Sequence, residues 1–176
     1  MGSRAPTPKR RPDKKRVKAS AAAIPPMAMH CGGMLAAAVS KAGALGSFGG
    51  LHPQRGPDWL LSEIALIRQT TQAPFAVGFI NDFVPAMSKL FEATLEARPP
   101  VVALSFGNPE PWLSRAKIAG AKVMCQVQTL KQAKEAVAAG ADVLVAQGNE
   151  AGGHTGRMNF YRSSPTSSTV IRVSPC

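Results

Sequence analysis

The stretch Gln147-Gly148-Asn149-Glu150-Ala151-Gly152-Gly153-His154-Thr155-Gly156 concentrates the residues of this chain best suited to chemistry. Glycines at 152 and 153 let a backbone lie close against a bound ring or phosphate. His154 follows directly, and an imidazole with an unperturbed pKa near ~6.5 changes protonation close to neutral pH. Asn81, Gln126 and Gln147 each stand at the end of an apolar run. Their amides carry both donors and acceptors for the edge of a heterocycle. Together these types point to a flat polar ligand with a proton acceptor beside it. Each residue also has a plainer role. His154 can be an exposed loop histidine, Asn81 a turn or cap residue and Gln126 a structural amide, while Gly43, Gly46, Gly49 and Gly50 can serve tight turns. His30 beside Cys31 has no second ligand pair for a metal, and His52 has no evident partner. Neither GxGxxG nor GxxxxGK[ST] occurs, which argues against a Rossmann or P-loop nucleotide site.

The elements that must position these residues read as alternating strands and helices. Residues 44–48, 75–80, 101–106, 122–127 and 142–146 are continuous apolar runs, the pattern of parallel strands buried on both faces. Between them lie segments with helical spacing. Pro57 opens one with Leu60, Ile64 and Ile67 on one face, and Pro85 opens another with Met87, Leu90, Phe91 and Leu95. Thr129 and Gln132 form a capping box for a third, which carries Leu130, Ala133 and Val137 and stops at Gly140. Ala119-Gly120-Ala121-Lys122-Val123 returns as Ala139-Gly140-Ala141-Asp142-Val143, one helix-to-strand turn echoing another. The pattern predicts an α/β fold, either a (β/α) barrel or a doubly wound sheet. The amides and glycines at the strand ends favour the barrel, where chemistry gathers in the loops that follow strands.

Charge divides the chain more sharply than hydropathy. The formal net charge is +11, yet residues 1–20 hold eight Lys or Arg against the single Asp13, and the body is nearly neutral. The basic arm therefore predicts a solvated tail, with no specific nucleic-acid partner beyond phosphate attraction. Three widely spaced cysteines, Cys31, Cys125 and Cys176, give no disulfide framework and suit a reducing, cytoplasmic setting. No apolar run approaches the ~20 residues that span a bilayer, so no membrane partner is expected. The predicted organisation is a basic disordered arm over 1–24, a truncated barrel over 25–157 and an irregular tail over 158–176.

Three segments resemble the nitronate monooxygenases, also called 2-nitropropane dioxygenases. The 147–156 loop is similar to that family's AQGxEAGGHxG segment. Pro26-Met27-Ala28 resembles its first-strand turn, and residues 35–46 resemble its LAAAVSxAGGLG segment. The resemblance runs from about Pro25 to Arg157 and implies an FMN-dependent TIM barrel that oxidises alkyl nitronates with dioxygen. It further implies that Met27 and Ala28 meet the flavin through their backbone. Asn81, Gln126, Gln147, Gly152 and Gly153 would then hold the cofactor, and His154 would be the catalytic base or substrate partner. No metal is implied.

The chain also departs from that pattern. A barrel of this kind commonly takes about 250 residues, with a phosphate site after its last strands. Here about six of the eight strands are expected, residues 18–23 (KASAAA) make a weak first strand, and the composition breaks at Met158. FMN is therefore expected to bind weakly, and exposed barrel edges to favour oligomers. Two other functions stay open: an FMN-dependent enoyl-acyl-carrier-protein reductase, which has a similar loop, and a non-catalytic fragment.

Overall fold

The computed structural model describes Ala23, Pro26, residues 30–148 and the backbone of residues 168–172. Five βα repeats dominate it: α1 (Gly33–Lys41), β1 (Gly46–Gly49), α2 (Pro57–Thr70), β2 (Phe75–Ile80), α3 (Ser88–Ala97), β3 (Val101–Ser105), α4 (Glu110–Ile118), β4 (Lys122–Val127), α5 (Leu130–Ala138) and β5 (Val143–Gln147). A last strand, β6 (Ser168–Arg172), completes one sheet in the order β1-β2-β3-β4-β5-β6. Strands β1 to β5 are all parallel neighbours in sequence order. A doubly wound sheet reverses its strand order at a switch point; this one never does. The fold is a partial TIM-type barrel.

Alternation along each strand splits the apolar residues into two layers. Phe48, Val77, Phe79, Val102, Leu104, Val123 and Cys125 meet the helices through Leu60, Ile64, Ile67, Phe91, Leu113 and Ala136, forming the main core. Each large side chain fully buried there contributes about 1.5–3 kcal/mol of transfer free energy. Ala76, Ala103 and Met124 lie on the other face with Leu45, Val101, Val143 and Val145, a thin layer of barrel-interior side chains. A chain of edge-to-face rings, Phe79–Phe91 at 5.1 Å and Phe91–Trp112 at 5.4 Å, ties β2 to α3 and α4. The Arg115 guanidinium stacks over Phe91 and pairs with Glu92.

Several sequence expectations are met in detail. Thr129 Oγ1 accepts from the Gln132 N–H while Gln132 Oε1 accepts from the Thr129 N–H, closing the capping box. Gly120 and Gly140 stop α4 and α5 with φ of 89° and 96°, so the twenty-residue echo is a repeated left-handed helix stop. At its base, Asp142 accepts from the Val123 N–H at 2.9 Å and pairs with Lys117 and Lys122. Burial opposes ionisation of this carboxyl. The Val123 N–H and the two lysines outweigh that cost, and its pKa is lowered below the usual carboxylate value.

Three expectations need correction. Residues 168–172 were expected in an irregular tail, but they form β6, antiparallel to β5, because β-branched Thr169, Val170 and Ile171 suit a strand and satisfy the edge of β5. Five barrel strands are described, and the expected weak first strand over 18–23 lies outside the described residues except for Ala23, which bridges in parallel to Leu45. Pro85 begins a single 3₁₀ turn, Pro85–Met87, and α3 starts only at Ser88. The face of α5 was expected at Leu130, Ala133 and Val137, yet Leu130 is 71% and Val137 42% exposed, and Ala136 is the buried residue. Small alanines let α5 lie close on β4, and among the described residues no further helix covers its outer side. The basic arm and most of the 158–176 segment lie outside the described residues.

Candidate functional site

Three strand ends converge on one rim of the sheet. Asn81 follows β2 directly, Gln126 is the penultimate residue of β4 and Gln147 is the last residue of β5. Asn81 and Gln147 are the first polar side chains after the apolar runs of β2 and β5, and Gln126 lies one residue before the end of β4. Asn81 is only 4% exposed, and its Oδ1 has no hydrogen-bond partner among the described residues. Buried side-chain oxygens are rarely left unsatisfied in a folded chain, so this one marks a place built for a donor. The Asn81 carbonyl caps a 3₁₀ turn through the Val84 N–H, which holds the side chain in place from below.

Across the sheet, Gln126 Nε2 and Gln128 Nε2 both donate to Gln147 Oε1, the latter at 2.8 Å. Gln147 is 8% exposed, so the three amides form a largely buried cluster. A cavity of about 880 Å³ opens beside them, lined by Asn81, Phe106, Gln126 and Gln128, and continues between β3, β4 and the helices α4 and α5. Phe106 holds a positive φ of 53°, a conformation that costs a bulky residue on the order of 1–3 kcal/mol and clusters at ligand sites. Pro26 packs into the barrel interior on Gly78; a side chain there would place its Cβ 2.1 Å from Pro26 Cγ. Only glycine lets Pro26 come so near β2.

The site offers neutral amides rather than a nucleophile. Cys125 lines the helix side of the same cavity, but burial, assisted by the Asp142 charge, pushes its thiol up to about 12. It stays protonated and inert. His52 Nδ1 accepts from the Gln54 N–H at 3.1 Å, and its ring meets Trp59 edge-on at 5.2 Å, so the histidine that lacked a partner in the sequence belongs to the β1–α2 loop. Among the described residues no cluster of three His, Cys, Asp or Glu side chains is placed to hold a metal, and no helix is long and apolar enough to cross a membrane.

The structure thus brings together Asn81, Gln126 and Gln147. Met27, Ala28, Gly152, Gly153 and His154 lie outside the described residues. Gln128 was missed, although its period-two spacing from Gln126 puts it on the same face. Phe106 was missed too, and nothing in its residue type announces a left-handed backbone.

Known proteins share both the fold and the sequence. The nitronate monooxygenase family model matches residues 86–173, past Arg157 and through β6. A nitronate monooxygenase of Paraburkholderia phytofirmans is 40% identical over 80 residues, covering 45% of this chain and 20% of that protein. The (3aS,4S,5R,7aS)-5-hydroxy-7a-methyl-1-oxo-octahydro-1H-indene-4-carboxyl-CoA dehydrogenase of Mycobacterium tuberculosis is 30% identical over 130 residues, covering 74% and 36%. The solved structure of FabK from Thermotoga maritima superposes with a TM-score of 0.72 at 36% identity, covering 79% of this chain and 44% of that one. The chain spans between 20% and 46% of the curated relatives' own length. With a family match over half its residues and a barrel sheet to go with it, the chain belongs to the nitronate monooxygenase family.

Proposed function

We propose that this chain supplies the ring-binding end of an FMN-dependent oxidoreductase that oxidises alkyl nitronates with dioxygen. The observation that carries the reading is the buried, partnerless Oδ1 of Asn81 on the rim that also holds Gln126 and Gln147. An isoalloxazine ring fits that rim, because its edge carries an N–H donor for Asn81 and its faces are apolar. Residues of the barrel interior, Ala76 and Ala103, are small enough to leave room beneath it. When bound, the flavin would supply the redox chemistry, and the protein position and electrostatics. Asn81, Gln126 and Gln147 would hold the ring edge, Met27 and Ala28 would meet it through backbone groups, and Gly152 and Gly153 would allow close approach. His154 would take the carbon proton of a neutral nitroalkane or hydrogen-bond the nitronate oxygens.

The test is a fluorescence titration with FMN, followed by oxygen consumption with a preformed alkyl nitronate. Saturable quenching and nitronate-dependent oxygen uptake are expected; their joint absence refutes the reading. A second reading, a flavin-dependent enoyl-acyl-carrier-protein reductase, is favoured by the likeness to FabK. Consumption of a reduced nicotinamide with an enoyl thioester, and none of the nitronate, would decide for it.

A further inference from the structure

We infer that Gln128 is a positioning residue: with Gln126 it clamps the side-chain amide of Gln147 on the ligand rim, and the capping box of α5 holds it in place. The inference rests on the flavin reading for the ligand's identity but not for the clamp itself. In the β4–β5 ladder Val127 pairs with Ala146, so Gln128 stands opposite Gln147 one step beyond the last pair. Their side chains share the barrel face, and Gln128 Nε2 donates to Gln147 Oε1 at 2.8 Å. Gln126, two residues earlier, donates to the same oxygen. An amide carbonyl has two lone pairs, and these two donors use both.

Two consequences follow for the rim. The Gln147 carbonyl has no lone pair left for a ligand, whereas the buried Oδ1 of Asn81 has no partner among the described residues. The amide plane of Gln147 is also fixed, since two donors from neighbouring positions on one strand define its direction where a single bond would let it swing.

Gln128 is itself anchored. Its backbone N–H donates to Gln132 Oε1 at 2.8 Å, and the Thr129 N–H donates to the same atom at 3.1 Å. The cap that starts α5 therefore also sets the backbone from which Gln128 reaches across to β5. A helix cap needs only the Thr129 N–H. The extra bond to Gln128 extends the box by one residue, onto the rim.

The full chain carrying Gln128→Leu, Gln132→Ala or Gln132→Glu tests this. The first readout needs no flavin: the side-chain amide resonances of Gln147 in a ¹H–¹⁵N spectrum. The second is FMN affinity by fluorescence quenching. Gln128→Leu should move the Gln147 resonances toward those of a free glutamine and weaken FMN about tenfold, the worth of one such bond. Gln132→Ala should do the same to a smaller degree. Gln132→Glu, whose carboxylate accepts both N–H groups, should restore wild-type values. Unmoved Gln147 resonances with wild-type affinity in Gln128→Leu would overturn the clamp. A wild-type chain that binds no FMN would sink the flavin reading alone, and the Gln147 resonances would still decide the clamp.

Discussion

Replacing Asn81 with leucine should make the ligand-free protein more stable and the ligand-bound protein weaker. Asn81 Oδ1 is buried and unpaired, so the folded state carries its desolvation cost without return. That cost is about 1–3 kcal/mol for a neutral polar group. Leucine has the same branched outline and no polar atom, the adjoining cavity leaves room for its bulkier methyls, and the backbone bond from the Val84 N–H to the Asn81 carbonyl is unaffected. For a chain of this size each kilocalorie moves the melting midpoint by roughly 2–4 °C. The flavin-free variant should therefore melt roughly 2–12 °C higher in a calorimetric scan, allowing for the same range of costs. FMN titration should show the opposite sign, with affinity lost because the ring N–H finds no acceptor. A Leu variant that melts below wild type in the absence of flavin would refute the reasoning, since it would mean that the Asn81 amide already has its partners in the folded chain.

Other perturbations follow from the same geometry. Asp142→Asn should destabilise the fold by about 1.5–3 kcal/mol at neutral pH, the scale of one lost charge-assisted bond, and the deficit should shrink on acidification. The sign follows from the lowered carboxyl pKa: its stabilisation is full above the unfolded carboxylate value of about 3.9 and is lost as pH falls through the folded value. Urea melts of both proteins between pH 7 and pH 3 read this. Thr129→Ala should cost about 1 kcal/mol through the broken α5 cap, measured by chemical denaturation. Cys125, with its thiol pushed up to about 12, should resist iodoacetamide in the native protein at pH 8 and react on unfolding, as mass spectrometry of the labelled chain would show. If the protein turns over nitroalkanes, His154→Ala with flavin retained should slow a neutral nitroalkane about 100- to 10,000-fold and the preformed nitronate far less, in steady-state oxygen uptake.

What the sequence made legible was whatever a single segment decides by itself. The capping box at Thr129 and Gln132 depends on two side chains three residues apart. The stops at Gly120 and Gly140 depend on one residue each, and the strands depend on runs of apolar residues. All of these are local, and all are where the residues put them. The errors arise where a distant partner decides. The outer face of α5 carries the same helical period as a core face, and only the position of the sheet reveals that Ala136, not Leu130, points inward. The segment around Ser168 has only the short β-branched stretch Thr169-Val170-Ile171 inside a serine-rich tail, and it becomes a strand because β5 offers an edge to pair with.

The candidate site shows the same division at finer grain. Asn81, Gln126 and Gln147 can be picked out because polar amides stand where apolar strands end, and strand ends in a barrel share one rim. Their hydrogen bonding cannot be read that way. Asn81 and Gln147 have similar side chains and similar burial, yet one amide oxygen lacks any partner and the other receives two donors. The difference comes from neighbours. Gln147 lies beside a strand that ends in Gln126-Val127 and is followed directly by Gln128, whereas Asn81 turns straight into a 3₁₀ helix. Residue type chose the rim, and strand order chose which amide on it is left to accept from a ligand.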